Sequence, residues 1–221
     1  MHIPDGILPV AVDVAGYATA GALTWFSLRK IQQQENPQEG VPKAALLTAA
    51  FFVASWIHIP FPPTSVHLIL NGLLGVVLGY YAMPAILVGL FFQAVMFQHG
   101  GLTTLGVNAT MMGLPALLAY GIFQSRYRLG LAQSDTWTAV FGFAGGAVGV
   151  GLAAAIAFTI LILTLPGNID AEAERASITA LTVAHVPLMV LEGVFTALLV
   201  TFLLRVKPEV LNRPGDVPVK V

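Results

Sequence analysis

Residues 137–165 contain no charged side chain. A helix needs about 20 mostly apolar residues to cross a bilayer, and this run exceeds that. Inside lipid every backbone amide must be satisfied within the structure itself, so such a chain spans as helices. Six further stretches read the same way, at about 8–28, 44–60, 67–82, 84–98, 107–124 and 180–204. The third and fourth are short. Met83-Pro84 predicts the break between them, because proline disfavours helix at the residue before it. Only 10% of the 221 residues are charged, against roughly 25% in ordinary soluble domains. The expected fold is an all-α integral membrane protein, a multi-pass bundle of about seven transmembrane helices forming one domain over residues 1–221.

Lysine and arginine set the expected orientation, since they concentrate in cytoplasmic loops. Arg29, Lys30 and Lys43 flank the first connection, Arg126 and Arg128 follow the fifth stretch, and Arg205, Lys207, Arg213 and Lys220 follow the seventh. An odd number of spans puts all three groups on one side. Arg175 falls on the other, among Asp170, Glu172 and Glu174. The N-terminus is then outside and the C-terminus cytoplasmic, with 206–221 as a short, proline-containing flexible tail. Asp5 precedes the first apolar stretch and Arg29 and Lys30 follow it, the reverse of a cleavable signal. The first helix is expected to stay on the protein. With no cysteine, disulfides and thiolate chemistry are excluded, and a net charge of −1 leaves no footprint for nucleic acid. The surroundings are the lipid bilayer.

With seven spans, all five histidines fall toward the outer end: His2, His58, His67, His99 and, in the outer half of the seventh stretch, His185. A single interfacial histidine is usually a hydrogen-bonded packing residue. Five at one end point to a polar site. The chain opens MHIPDG. The Met1 amine, the His2 amide and the His2 imidazole are tethered in sequence, so each new bond to a metal loses little further entropy. The first two close a five-membered ring, and the second and third a six-membered ring through Nδ1. A planar nitrogen set suits Ni(II) or Cu(II), and a second imidazole can fill the fourth position. Proline at position 4 pushes Ile3 toward an extended conformation, so residues 1–6 read as an arm ending in an Asp5-Gly6 turn. A disordered tail is the plainer expectation for such a start.

MHIPDG before an apolar helix, with PPTSVHLILNGLLG (62–75), FFQAVMFQHGGLTTLGVNATMMGLP (91–115) and AHVPLMVLEG (184–193), resembles the CbiM/NikM family across essentially the whole chain. These are substrate-binding (S) membrane subunits of energy-coupling-factor transporters for cobalt and nickel. The resemblance implies capture of Ni²⁺ or Co²⁺ as the transported substrate, not as a cofactor. It implies the Met1 amine, the His2 amide and imidazole, and His67 as ligands. It also implies a cell inner (plasma) membrane location. Partners would be a membrane coupling (T) subunit, cytoplasmic ATPase subunits and a small auxiliary membrane subunit. Asn71, Gln98, His99, Thr103, Asn108 and His185 are candidates to support the site, and each reads equally well as a packing or headgroup-region polar residue. The Ala45/Ala49 and Ala50/Ala54 pairs make small faces suited to close helix packing.

Three functions compete. The chain has no P-loop sequence (G-x-x-x-x-G-K followed by Ser or Thr), so an ATP-driven importer must draw energy from partners. A proton-coupled secondary transporter would use Glu192, the most isolated charge in a span, and the histidines. It also predicts an internal repeat, and none is clear. An intramembrane enzyme needs a nucleophile–base pair, and none is evident. The capture subunit is the reading the residues favour, and the chain is expected not to be an enzyme.

Overall fold

The computed structural model describes residues 2–61, 64–165 and 171–211. The helices are α1 (Val10–Gln32), α2 (Val41–Ala54), α3 (Asn71–Leu78), α4 (Ala82–Phe97), α5 (Leu105–Arg128), α6 (Asp135–Leu163) and α7 (Ala171–Val206). Between α2 and α3 lies an antiparallel hairpin of β1 (His58–Phe61) and β2 (Thr64–His67), in the register His58 to His67. Among the described residues, four helical runs are long and apolar enough, by length and composition, to cross a membrane: Asn71–Phe97 counted through its internal turn, α5, α6 and α7. Helix α1 has 23 residues, but Asp13 and several polar or small residues dilute its apolar content, and α2 has only 14. Length and hydropathy thus secure a mostly helical membrane protein with four such stretches.

The hairpin corrects the sequence reading, which ran the second stretch to residue 60 and began the third at His67. Helix α2 stops at Ala54. Pro60, Pro62 and Pro63 have no N–H to donate and clash with a helical turn behind them. His67 therefore ends a strand rather than starting a helix, and α3 begins four residues later.

Helices α3 and α4 double back on each other. A straight helix over Asn71–Phe97 would be about 40 Å long, yet the His67 and His99 rings that bracket it lie 5.0 Å apart. The reversal falls at Gly79, φ +59°, not at Met83-Pro84. A left-handed φ suits glycine, and a side chain there would press on Tyr120. Pro84 instead occupies the first turn of α4, where a missing N–H costs nothing. Tyr81 fixes the turn by donating to Pro37 O at 2.6 Å.

All eight residues of α3 are buried. A Cβ on Gly75 would overlap the Ala116 carbonyl of α5, and one on Gly72 the Gly145 and Gly146 carbonyls of α6. The α3 backbone thus lies directly on two neighbours, the close approach that small residues permit in lipid. At the end opposite the histidines, Lys43 Nζ donates to Val77 O and Val210 O, each at 3.1 Å, and Arg205 pairs with Asp135 at 2.7 Å. After α7 a 3-10 turn at Pro208–Val210 brings Leu211 to 4% exposure. Residues 212–221 lie outside the described residues.

Candidate metal centre

The arm folds back into the bundle. Ile3 is buried, and both of its backbone groups meet one side chain. Its N–H donates to Asn108 Oδ1 at 2.9 Å, and Asn108 Nδ2 donates back to Ile3 O at 2.9 Å. Thr104 Oγ1 adds a second donor to Ile3 O at 2.6 Å. An asparagine amide presents a donor and an acceptor side by side, so it pairs with an extended residue much as a neighbouring strand does. Asp5 then latches the arm to the segment ahead of α5. It accepts from Thr103 Oγ1 at 2.6 Å, Thr103 N at 2.8 Å and Leu102 N at 3.1 Å. A Cβ at Gly101 would collide with the Asp5 carboxylate, so a residue without one is required there. The Thr103 hydroxyl and these amides hold the exposed Asp5 carboxyl below the usual carboxylate range.

The folded arm delivers His2 to His67 and His99. One ligating nitrogen from each of the three rings lies within 4.8 Å of the others. The His2 ring is 4.2 Å from that of His99 and 5.1 Å from that of His67, centroid to centroid. His2 Nδ1 stands 3.3 Å from His67 Nε2.

The protons on these rings follow from their partners. The Ser55 hydroxyl donates to Phe52 O at 2.8 Å and accepts from Gln93 Nε2 at 3.1 Å. That leaves Gln93 Oε1 as an acceptor, 2.9 Å from His2 Nε2. His2 therefore carries its proton on Nε2 and a lone pair on Nδ1. His67 Nδ1 faces Leu68 O at 2.9 Å, so its proton is on Nδ1 and its lone pair on Nε2. The two lone pairs face each other across 3.3 Å. Two acceptors converging on one point form a place that a cation or an N–H donor fills. Nitrogens about 2.0 Å from a common ion and at right angles stand about 2.9 Å apart, so a small shift admits one metal ion. Desolvation above all, with the His67 and His99 rings among the lesser causes, holds the His2 imidazole well below its ordinary value, which favours the neutral form that can ligate.

Of the residues read from sequence, the structure brings together His2, His67 and His99, with Asn108 and Thr103 holding the arm. Met1, the expected amine donor, lies outside the described residues. His185 is beside the centre rather than in it. It is 2% exposed, donates from Nδ1 to Leu181 O at 2.8 Å, and lines a cavity of about 50 Å³ with His2 and Ile3. Asn71 serves packing: its Nδ2 donates to Met112 O at 3.2 Å and Gly149 O at 2.9 Å, tying α3 to α5 and α6. Asn71 and His67 share no helix face, because His67 ends strand β2. Gln98 points away. It is exposed at the left-handed end of α4, φ 53°. Gln93, five residues earlier and on the opposite face of the helix, is the glutamine at the site. It, Thr104 and the latch role of Asp5 were missed. An uncharged polar residue alone in an apolar span was the available signal for Gln93.

A family model described as the CbiM cobalt uptake substrate-specific transmembrane region matches residues 2–210. The chain belongs to the CbiM family. A Haemophilus influenzae relative named for metal transport is 36% identical over 213 residues, covering 96% of this chain and 98% of the relative. The cobalt transport protein CbiM of Kyrpidia tusciae is 32% identical over 99% of this chain and 89% of its own length. The fused nickel transport protein NikMN of Rhodobacter capsulatus is 30% identical over 96% of this chain, which spans 64% of it. A crystal structure of a truncated transition metal transporter superposes with a TM-score of 0.78 at 27% identity, covering 93% of this chain and 99% of that one. The CbiM family is a cobalt and nickel transport family, so this membrane protein is grouped with transporters rather than enzymes.

Proposed function

We propose that this CbiM-family chain is the substrate-binding subunit of an ATP-driven energy-coupling-factor importer for Ni²⁺ or Co²⁺, seated in the cell inner membrane. In this reading it has seven crossings, its N-terminus outside and its C-terminus in the cytoplasm. The ion is captured at the outer face by the Met1 amine, the His2 amide, His2 Nδ1 and His67 Nε2. The observation that carries the reading is the approach of His2 Nδ1 to His67 Nε2, 3.3 Å apart, with the His99 ring beside them. Neutral imidazoles so placed form a ready-made half of a metal's coordination plane, and each ring already has its second nitrogen oriented by a partner, as ligating histidines do.

A coupling subunit and cytoplasmic ATPases supply the energy, with a small auxiliary membrane subunit completing the complex. Ala45 and Ala49 line an apolar groove between α2 and α4, a surface suited to a neighbouring membrane helix. Metal binding closes the arm, and engagement with the coupling subunit reopens the site inward. The alternative is a proton-coupled secondary transporter cycling protons on Glu192. Both oxygens of Glu192 already accept backbone amides, from Ile69 and Leu70, which favours the importer.

Calorimetry of the purified chain with Ni²⁺ and with Co²⁺ tests the reading. It predicts one ion per chain, lost in His67→Ala. Equal binding by the two proteins places the ion elsewhere.

A further inference from the structure

Helix α3 starts from an awkward position. Its N-cap is Leu70, at φ 55° and ψ 9°, whose side chain makes no cap hydrogen bond, while inside the first turn Asn71 Oδ1 accepts from Gly72 N at 2.9 Å. A non-glycine residue in the left-handed region is held there by its surroundings. The holding group comes from α7. Glu192, 1% exposed, accepts from Ile69 N and, at 2.8 Å, from Leu70 N. A carboxylate at a helix N-terminus satisfies the orphan amides and complements the helix dipole. Here that carboxylate is delivered by another helix, 122 positions along the chain from Leu70.

The segment it grips also aims His67. His67 donates from Nδ1 to Leu68 O, and Leu68 is the residue before the first clamped amide. Fixing Ile69 N and Leu70 N fixes the Leu68–Ile69 peptide plane, and with it the carbonyl that sets the proton and direction of the His67 ring. Charge-assisted hydrogen bonds of this kind are short and strong, so the clamp is stiff. Glutamine cannot reproduce it: its single carbonyl oxygen accepts one amide while its NH₂ opposes the other.

We propose that Glu192 is a positioning residue for metal capture, acting through residues 68–70 to hold His67 Nε2 toward the ion. This rests on the capture reading above for its functional consequence, though the ring it orients is observable without metal. Loss of an orienting partner lowers metal affinity by roughly 10–100-fold. Glu192→Gln is therefore expected to weaken Ni²⁺ binding by that factor. In apo protein labelled with ¹⁵N-histidine, the His67 ring changes from the Nδ1–H form to a mixture of tautomers. Adding Leu70→Gly restores both signals in part, because glycine accepts the left-handed conformation without a clamp.

A role confined to bundle stability would lower the thermal midpoint and leave the His67 ring and the affinity of the folded protein unchanged. That result overturns the proposal. If Glu192→Gln does not fold, Glu192→Asp keeps the charge but withdraws the carboxylate by one methylene. A wild-type His67 ring in that variant overturns it equally. If wild-type protein binds no metal but shows the Nδ1–H ring, the capture reading fails, and the ring signal in the variants still decides the role of Glu192.

Discussion

The two imidazoles that face each other are held in opposite ways. His67 belongs to the core: it is 5% exposed, at the end of β2, and the segment after it is gripped by Glu192 and followed by the wholly buried α3. His2 sits on an arm attached at its edges. Ile3 is buried and docks through Asn108 and Thr104, and Asp5 latches at the exposed surface. One half of the centre is built into the bundle; the other is carried on an N-terminal arm held by hydrogen bonds from Asn108, Thr104 and Thr103. In the capture reading, an ion that needs both halves stabilises the docked arm by mass action, which couples metal binding to arm closure. That is the arrangement a capture-and-release subunit requires.

The largest break in this comparison is on the fixed side. His67→Ala removes a ligand, and its effect on Ni²⁺ affinity in calorimetry should exceed the roughly 10–100-fold that loss of an orienting partner costs. The arm should still dock, read as unchanged hydrogen exchange at Ile3.

Asn108→Ala acts on the arm side. It strips Ile3 N of its partner, and a buried unsatisfied amide costs about 1–3 kcal/mol. The arm should loosen, with faster exchange over residues 3–5 and metal binding weakened by about tenfold or more. The thermal midpoint of the bundle should move little. A fall in that midpoint as large as a core substitution gives would contradict an arm that loosens on its own.

Acid should act on the same side more gently. The folded His2 value lies below the ordinary one of about 6.5, so the docked arm holds His2 neutral and the free arm binds the proton first. Its contribution to docking is full above about pH 6.5 and is lost as pH falls from there toward the lower folded value. Ni²⁺ affinity measured across that window should decline in parallel. A flat profile would show that His2 does not titrate on release.

The smallest effect is expected from Asp5→Asn. The carboxylate is exposed, and exposed charged interactions are weak. A few-fold loss of metal affinity is the expected result. The wild-type latch persists above about pH 4 and weakens as pH falls through the depressed folded value of Asp5.

Much of this was legible in the chain. MHIPDG and the clustering of histidines toward one end of the apolar stretches pointed to His2, His67 and His99 because a tethered donor set and a shared end are local properties. The β1–β2 hairpin was hidden by hydropathy, since apolar flanks made residues 58–67 look like the ends of two helices. Pro60, Pro62 and Pro63 carried the contrary signal. Gln98 adjoins His99 and two glycines in the sequence, whereas Gln93 is a lone amide within an apolar run, so residue type and neighbours favour Gln98. Which face a residue presents depends on where the helix ends, and five residues of rotation reverse it. Glu192 was conspicuous as a lone acid, but its partners are backbone amides more than 120 positions away. No pattern of side chains announces those.

The most direct test of the central claim uses the arm itself. Ni²⁺ titration of the purified chain is compared with that of a chain bearing one extra residue before Met1. If the arm is a metal claw, the native chain binds one ion tightly and the extended chain does not, because the amine is displaced while His2 and His67 remain. Equal binding by both would contradict the claw and leave the ion to His2, His67 and His99 alone.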